Sequence, residues 1–311
     1  MENIAFTLPS HNGEDTVSCY LEIPENPRGI LQICHGMCEY FERYREFVDF
    51  MKLAGFAVCG HDHVGHGKSA ASEERLGYFG PKDGHRVLAL DAHAVSVYVK
   101  KKLPELPLFL LGHSMGSFVA RDYIARYGKE LDGVIIMGTS GPNPALGAGL
   151  TLAKTIRKTK GELHRSAVID RLAFGSYNKR IKPNRSTYDW LSRDMKCVAK
   201  YADDQYCSFV FTAGGFVDLF TLLGRVNSAS WYKMVPTDLP IFLIAGEEDP
   251  VGDYGKGVRQ VHASLEKAGV EDLVLRLYPE MRHEILNEIG REGVYTDLLL
   301  WLEKRCKLPQ S

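Results

Sequence analysis

Short apolar runs alternate with stretches of helical spacing along most of the chain. Gly29–Cys34 is apolar apart from Gln32, and Phe56–Cys59, Leu108–Leu111, Val134–Met137, Ile241–Ala245 and Leu273–Tyr278 are similarly short. Each reads as a strand. Between them lie helical patterns. Tyr40–Ala54 gathers Phe47, Val48 and Met51 on one side and stops at Gly55, a residue suited to a helix end. His85–Lys102 ends before Pro104, Ser114–Tyr127 ends at Gly128, and Gly257–Ala268 and Val294–Lys304 follow later. Strands apolar on both faces and separated by helices predict a parallel sheet covered on both sides. Ile4–Leu8 and Val17–Ile23 stand apart, since His11-Asn12-Gly13-Glu14-Asp15 between them is a hairpin signal.

The alternation fails from about Gly141 to Pro236 and resumes at Ile241. This predicts an α/β core from 1–140 and 237–311, interrupted by an insertion at 141–236. Composition adds little to that picture. The 311 residues are 45% hydrophobic and 25% charged, and 38 basic side chains face 39 acidic ones. A wholly disordered or polybasic nucleic-acid-binding chain is excluded. No run approaches the length of a membrane span. The start, Met1-Glu2-Asn3-Ile4, carries an acid where a secretory leader would be basic. Seven cysteines with no C-x-x-C spacing fit reduced thiols, so a cytoplasmic protein is expected.

The chemistry centres on Gly112-His113-Ser114-Met115-Gly116, a G-x-S-x-G pattern directly between a strand and a helix. A serine nucleophile there must stand on a sharp, strained turn, which small residues on both sides permit. Its hydroxyl needs a base, and the base an orienting carboxylate, in the chain order Ser, acid, His. Three histidines lie downstream. His164 falls in the insertion and His262 inside a helix, whereas His283 follows the strand Leu273–Tyr278 at a carboxyl end of the sheet, where catalytic groups gather. His283 is the expected base. The loop after Ile241–Ala245 offers Glu247, Glu248 and Asp249. Asp249 is favoured because Pro250 biases it towards an extended or turn conformation, with the two glutamates as alternatives. Oxyanion donors are expected from the backbone N–H groups of Met115 and of Met37, in the loop after the third strand.

Two other motifs carry weaker signals. Gly67-Lys68-Ser69 ends like a phosphate loop, but Asp62 stands where that motif needs glycine. His61, His63 and His66 invite comparison with metallo-hydrolases, yet Gly65 replaces the expected Asp and no second ligand cluster stands out. A hydrogen-bonded structural loop is expected, with neither cofactor nor metal.

Taken together, His35-Gly36-x-x-Glu39-x-x-x-Arg43-Tyr44, Asp62-His63-x-Gly65-His66-Gly67-x-Ser69, Gly112-His113-Ser114-Met115-Gly116 and His283-Glu284-x-x-Asn287-Glu288 resemble the monoacylglycerol lipase and lysophospholipase family of α/β-hydrolases. The resemblance runs from about residue 28 to 304, most of the insertion excepted. It implies the α/β-hydrolase fold and cofactor-free serine ester hydrolysis. It further implies a triad of Ser114, Asp249 and His283, and a lid formed by the insertion. Ser117 departs from it, standing where the family often has a further glycine.

Within the insertion, Thr151–Arg185 holds ten basic residues and two acidic ones, and Phe209-Val210-Phe211, Phe216, Phe220, Leu222 and Leu223 follow. An apolar wall beside a basic surface suits a single-chain lipid ester, a monoacylglycerol or lysophospholipid, or docking on anionic membrane. A basic solvated face of an amphipathic helix is the plainer reading. A short-chain carboxylesterase, a peptidase or amidase on the same fold, and a non-catalytic lipid-binding protein are the competing functions. The oligomeric state is left open.

Overall fold

The computed structural model describes residues 2–306. Its centre is an eight-stranded sheet: β1 (Glu2–Pro9), β2 (Thr16–Ile23), β3 (Gly29–Cys34), β4 (Phe56–His61), β5 (Leu108–His113), β6 (Gly133–Met137), β7 (Ile241–Gly246) and β8 (Leu273–Tyr278). The order is β1-β2-β4-β3-β5-β6-β7-β8. The two N-terminal strands form the expected antiparallel hairpin, and β2 is antiparallel to β4. All other pairs are parallel. In the hairpin turn the Asn12 side chain accepts from the Glu14 and Asp15 N–H groups, and Gly13 adopts φ +79°.

Every residue of β3, β4, β5, β6 and β7 is buried, which is why these strands read as uninterrupted apolar runs. Helices cover both faces. On one side α1 (Arg45–Leu53) packs near the C-terminal helix, with Phe47, Val48 and Met51 in a core shared with β3, β5 and β6. On the other, α2 (Gly84–Lys102) and α3 (Met115–Tyr127) enclose the larger core. After β6 come five helices in succession: α4 (Leu146–Lys160), α5 (Ala167–Phe174), α6 (Met195–Asp203), α7 (Ala213–Val226) and the short α8 (Ala229–Tyr232). Two more, α9 (Lys256–Lys267) and α10 (Arg291–Glu303), follow β7 and β8. The sheet thus has the α/β-hydrolase topology, and the loss of alternation between β6 and β7 is a run of helices without strands.

Among the boundaries that differ from the sequence reading, two bear on the site. Tyr40–Ala54 is not one helix. Phe41–Tyr44 is a 3₁₀ turn, because the Asp62 carboxylate takes the Phe41 N–H at 3.0 Å and fixes the chain there. Ser114 lies outside α3, at φ 53° and ψ −119°, and the helix starts only at Met115.

Candidate active site

Ser114 is the hinge between β5 and α3. A positive φ at a non-glycine residue costs on the order of 1–3 kcal/mol, so the surroundings must enforce it. The Ser114 N–H donates to Met137 O at 3.0 Å, and the Ser117 N–H and hydroxyl both donate to Ser114 O. Ser117, the departure from the family pattern, therefore braces the turn. Gly112 and Gly116 are sterically required. A Cβ on Gly112 would lie 2.2 Å from Gly116 O, and one on Gly116 would lie 2.1 Å from Cys34 O.

Asp249 sits just beyond β7, fully buried, and its Oδ1 accepts the Val251 N–H at 2.8 Å. Its Oδ2 is 2.9 Å from His283 Nδ1. A proton on Nδ1 donates to that carboxylate, leaving Nε2 available to a hydroxyl. Glu247 and Glu248 are exposed, as is His164, and His262 is half-buried on α9. Of the alternatives raised by the sequence, the structure brings none to His283. Ser114 and His283 line one cavity, together with Met37 and Met115.

The loop after β3 is organised by a residue that the motif contained but to which the sequence reading gave no role. Glu39 is almost fully buried and accepts the Gly36 N–H, one residue before Met37. It also accepts the Tyr44 hydroxyl at 2.8 Å and Arg43 Nη1 at 3.0 Å. Arg43 continues to Glu284 through two bonds of 2.7 and 2.8 Å, a bidentate pair beside His283. Burial works against the Glu39 charge, but His113 and Arg43 hold its carboxyl well below the usual carboxylate range.

The insertion also holds the His283 loop. The His283 and Glu284 N–H groups donate to Trp190 O and Leu191 O, and Arg282 donates to Asp189 O and Ser192 O. Arg193 pairs with the buried Glu288, whose Oε1 also takes the Arg282 N–H. The Trp190 ring lies 5.1 Å from that of His283. These partners are about 90 residues apart, so no local pattern could reveal them.

The histidine loop is tied in through backbone groups and Asp62, while both ring nitrogens of His61 and His63 and Nε2 of His66 are buried without a hydrogen-bond partner among the described residues. His35 Nε2 accepts the His63 N–H at 2.8 Å, and Asp62 accepts the Phe41 and Lys68 N–H groups. Burial pushes His61 and His66 down to about 4, leaving both neutral near pH 7. Among the described residues no group of three or more His, Cys, Asp or Glu is arranged to hold a metal ion.

The cavity has a volume of about 1300 Å³. Phe118, Leu152, Phe174, Phe209, Leu219 and Phe220 form an apolar wall, and Ser140, Asn143 and Gln260 lie at a more polar part of the lining. Residues 25–290 match the family model described as serine aminopeptidase, S33. The chain belongs to that family. This S33 chain is 26% identical over 277 residues to the monoacylglycerol lipase of Mycolicibacterium smegmatis, covering 89% of each chain. It is 26% identical over 301 residues to the monoglyceride lipase of Rattus norvegicus, covering 96% of this chain and 90% of the relative. Its fold superposes with a TM-score of 0.93 on a highly thermostable carboxyl esterase from Bacillus coagulans, solved in complex with glycerol. That pair is 32% identical, over 99% of this chain and 100% of the other. By motif, family and fold, this S33 chain is a monoacylglycerol lipase-like α/β-hydrolase.

Proposed function

We propose that the chain hydrolyses carboxylic esters of single-chain lipids, a monoacylglycerol or lysophospholipid, through an acyl-enzyme on Ser114. The observation that carries this reading is the shared cavity: Ser114 and His283 open into a chamber whose wall is largely apolar. An acyl chain lies against that wall, with its ester at Ser114. His283, oriented by Asp249, takes the Ser114 proton through Nε2 as Oγ bonds to the carbonyl carbon. The N–H groups of Met37 and Met115 receive the oxyanion. The C–O bond breaks and the alcohol leaves with the proton from His283. Water then attacks the acyl-enzyme, losing its proton to His283, and the fatty acid departs as Ser114 Oγ is reprotonated.

The insertion serves as the lid over this chamber. Leu163, Val168 and Leu172 are exposed there, the last at 70%, among the basic residues of 151–185. Exposed apolar residues in so basic a stretch of chain support docking on an anionic membrane surface. No described helix is long and apolar enough to cross a membrane. The seven cysteines are unbridged, which supports a reducing cytoplasm.

Fluorophosphonate labelling followed by a chain-length series of p-nitrophenyl esters tests the reading. Label should appear in the wild type and vanish in Ser114→Ala, whose turnover should fall by about 10⁴-fold or more. Medium and long acyl chains should be preferred. Label retained in Ser114→Ala would overturn the nucleophile, and a preference for acetate would leave a short-chain carboxylesterase.

A further inference from the structure

We infer that His113 is a positioning residue, a doubly donating imidazolium that clasps the oxyanion loop, the nucleophile turn and the base loop into one unit. The inference rests on the esterase reading above and concerns what holds its three loops in register.

His113 is the residue before Ser114 and is buried. Its Nδ1 lies 2.9 Å from Glu39 Oε1, and its Nε2 lies 3.4 Å from the carbonyl oxygen of His283. Both partners are acceptors. A neutral ring with its proton on Nδ1 would aim a lone pair at the His283 carbonyl, and the other tautomer would aim one at the carboxylate. Tyr44 is 3.0 Å from Nδ1, but its hydroxyl donates to the same Glu39 oxygen at 2.8 Å. It is therefore not free to cap a bare nitrogen. Only the imidazolium satisfies both contacts.

The groups facing this ring come from every side. Glu39, Arg43 and Tyr44 belong to the segment after β3, and Glu284 and the His283 ring, 4.8 Å away, belong to the base loop. Asp249 lies beyond His283. Arg43 joins the two carboxylates, so the chain His113–Glu39–Arg43–Glu284 alternates in sign and sums to zero. Burial presses the His113 proton off, but the Glu39 charge and hydrogen bond, with Glu284 and Asp249 behind them, hold its pKa above the usual histidine range. The sign follows. The clasp is intact at acid and neutral pH and is lost as pH rises through that raised value. The pH profile of kcat/KM therefore has a basic limb along which activity falls as His113 loses its proton.

The experiment is ¹⁵N-histidine NMR of the wild type at about pH 7, alongside pH profiles on a soluble p-nitrophenyl ester. His113 should give imidazolium nitrogen shifts at a pH where an ordinary histidine is neutral. Glu39→Gln should move the basic limb down by about 1 pH unit or more and lower kcat with little change in KM. His113→Gln should lose that limb altogether. A neutral His113 in the wild-type spectrum overturns the inference, and it does so even if a variant fails to fold. A basic limb left in place by Glu39→Gln overturns it equally. Fluorophosphonate labelling separates the two levels: an unlabelled wild type rejects the esterase reading, whereas a labelled wild type with an unmoved limb rejects only the clasp.

Discussion

Of the 14 residues in α7, nine are buried, whereas of the 15 in the adjacent α4 only Ala153 is. Both helices belong to the same insertion, but they are attached differently. The N-cap of α7, Thr212, donates to Gly77 O at 2.9 Å, and Asp218 accepts the His85 N–H near the start of α2. At the far end, the buried guanidinium of Arg121 donates to Val226 O and Asn227 Oδ1. Helix α4 starts without a side-chain cap and carries Gly147 and Gly149 in its first turns. It rests on α7, with Gly149 beside Phe220. The difference teaches that an insertion in sequence need not be a unit in mechanics. Helix α7 has joined the core, while α4 and α5 stay largely outside it, with residues such as Leu152 and Phe174 lining the cavity.

The comparison can be broken at three points. Phe216→Ala empties a fully buried site on α7 and should cost about 3–5 kcal/mol of global stability, seen as a lower denaturant midpoint. A cost below about 1 kcal/mol would show that α7 is no more part of the core than α4. On the other half, Val168→Asp with Leu172→Asp changes two exposed residues. It should leave the midpoint within about 0.5 kcal/mol but weaken binding to anionic vesicles by at least about tenfold. Unchanged vesicle binding would remove the docking role of α5. The smallest effect belongs to Gly147→Ala. A Cβ there meets nothing within 4 Å, so α4 should gain about 0.5–1 kcal/mol in helix stability. Limited proteolysis should then cut 143–186 more slowly. Faster cutting would mean that α4 does not open by local fraying.

How much of this was readable beforehand follows the same division. The strands β3 to β7 are buried on both faces, so their apolar runs could be recognised without knowing their partners. The turn at Ser114 and its strain were readable because strand, small residues and helix are contiguous in sequence. The start of α3 was misjudged by one residue, since Ser114 has a helix-like neighbourhood and the bond from its N–H to Met137 O, which keeps it out of the helix, is tertiary. Glu39 and Arg43 stood in a visible motif, but their function depends on Glu284, some 240 residues away. Trp190 and Arg193 gave no signal. They act through backbone carbonyls and a long-range ion pair, which hydrophobic periodicity does not encode.

The contact between Trp190–Arg193 and the His283 loop bears on how such a protein can be rebuilt. Exchanging 141–236 with the matching stretch of a relative would carry away the carbonyls from which the His283 loop hangs, so a new selectivity would arrive with a displaced histidine. Exchanging 143–186 leaves those carbonyls, α7 and Arg193 in place. The shorter graft changes one wall of the cavity and keeps the Ser114 and His283 loops on their original supports.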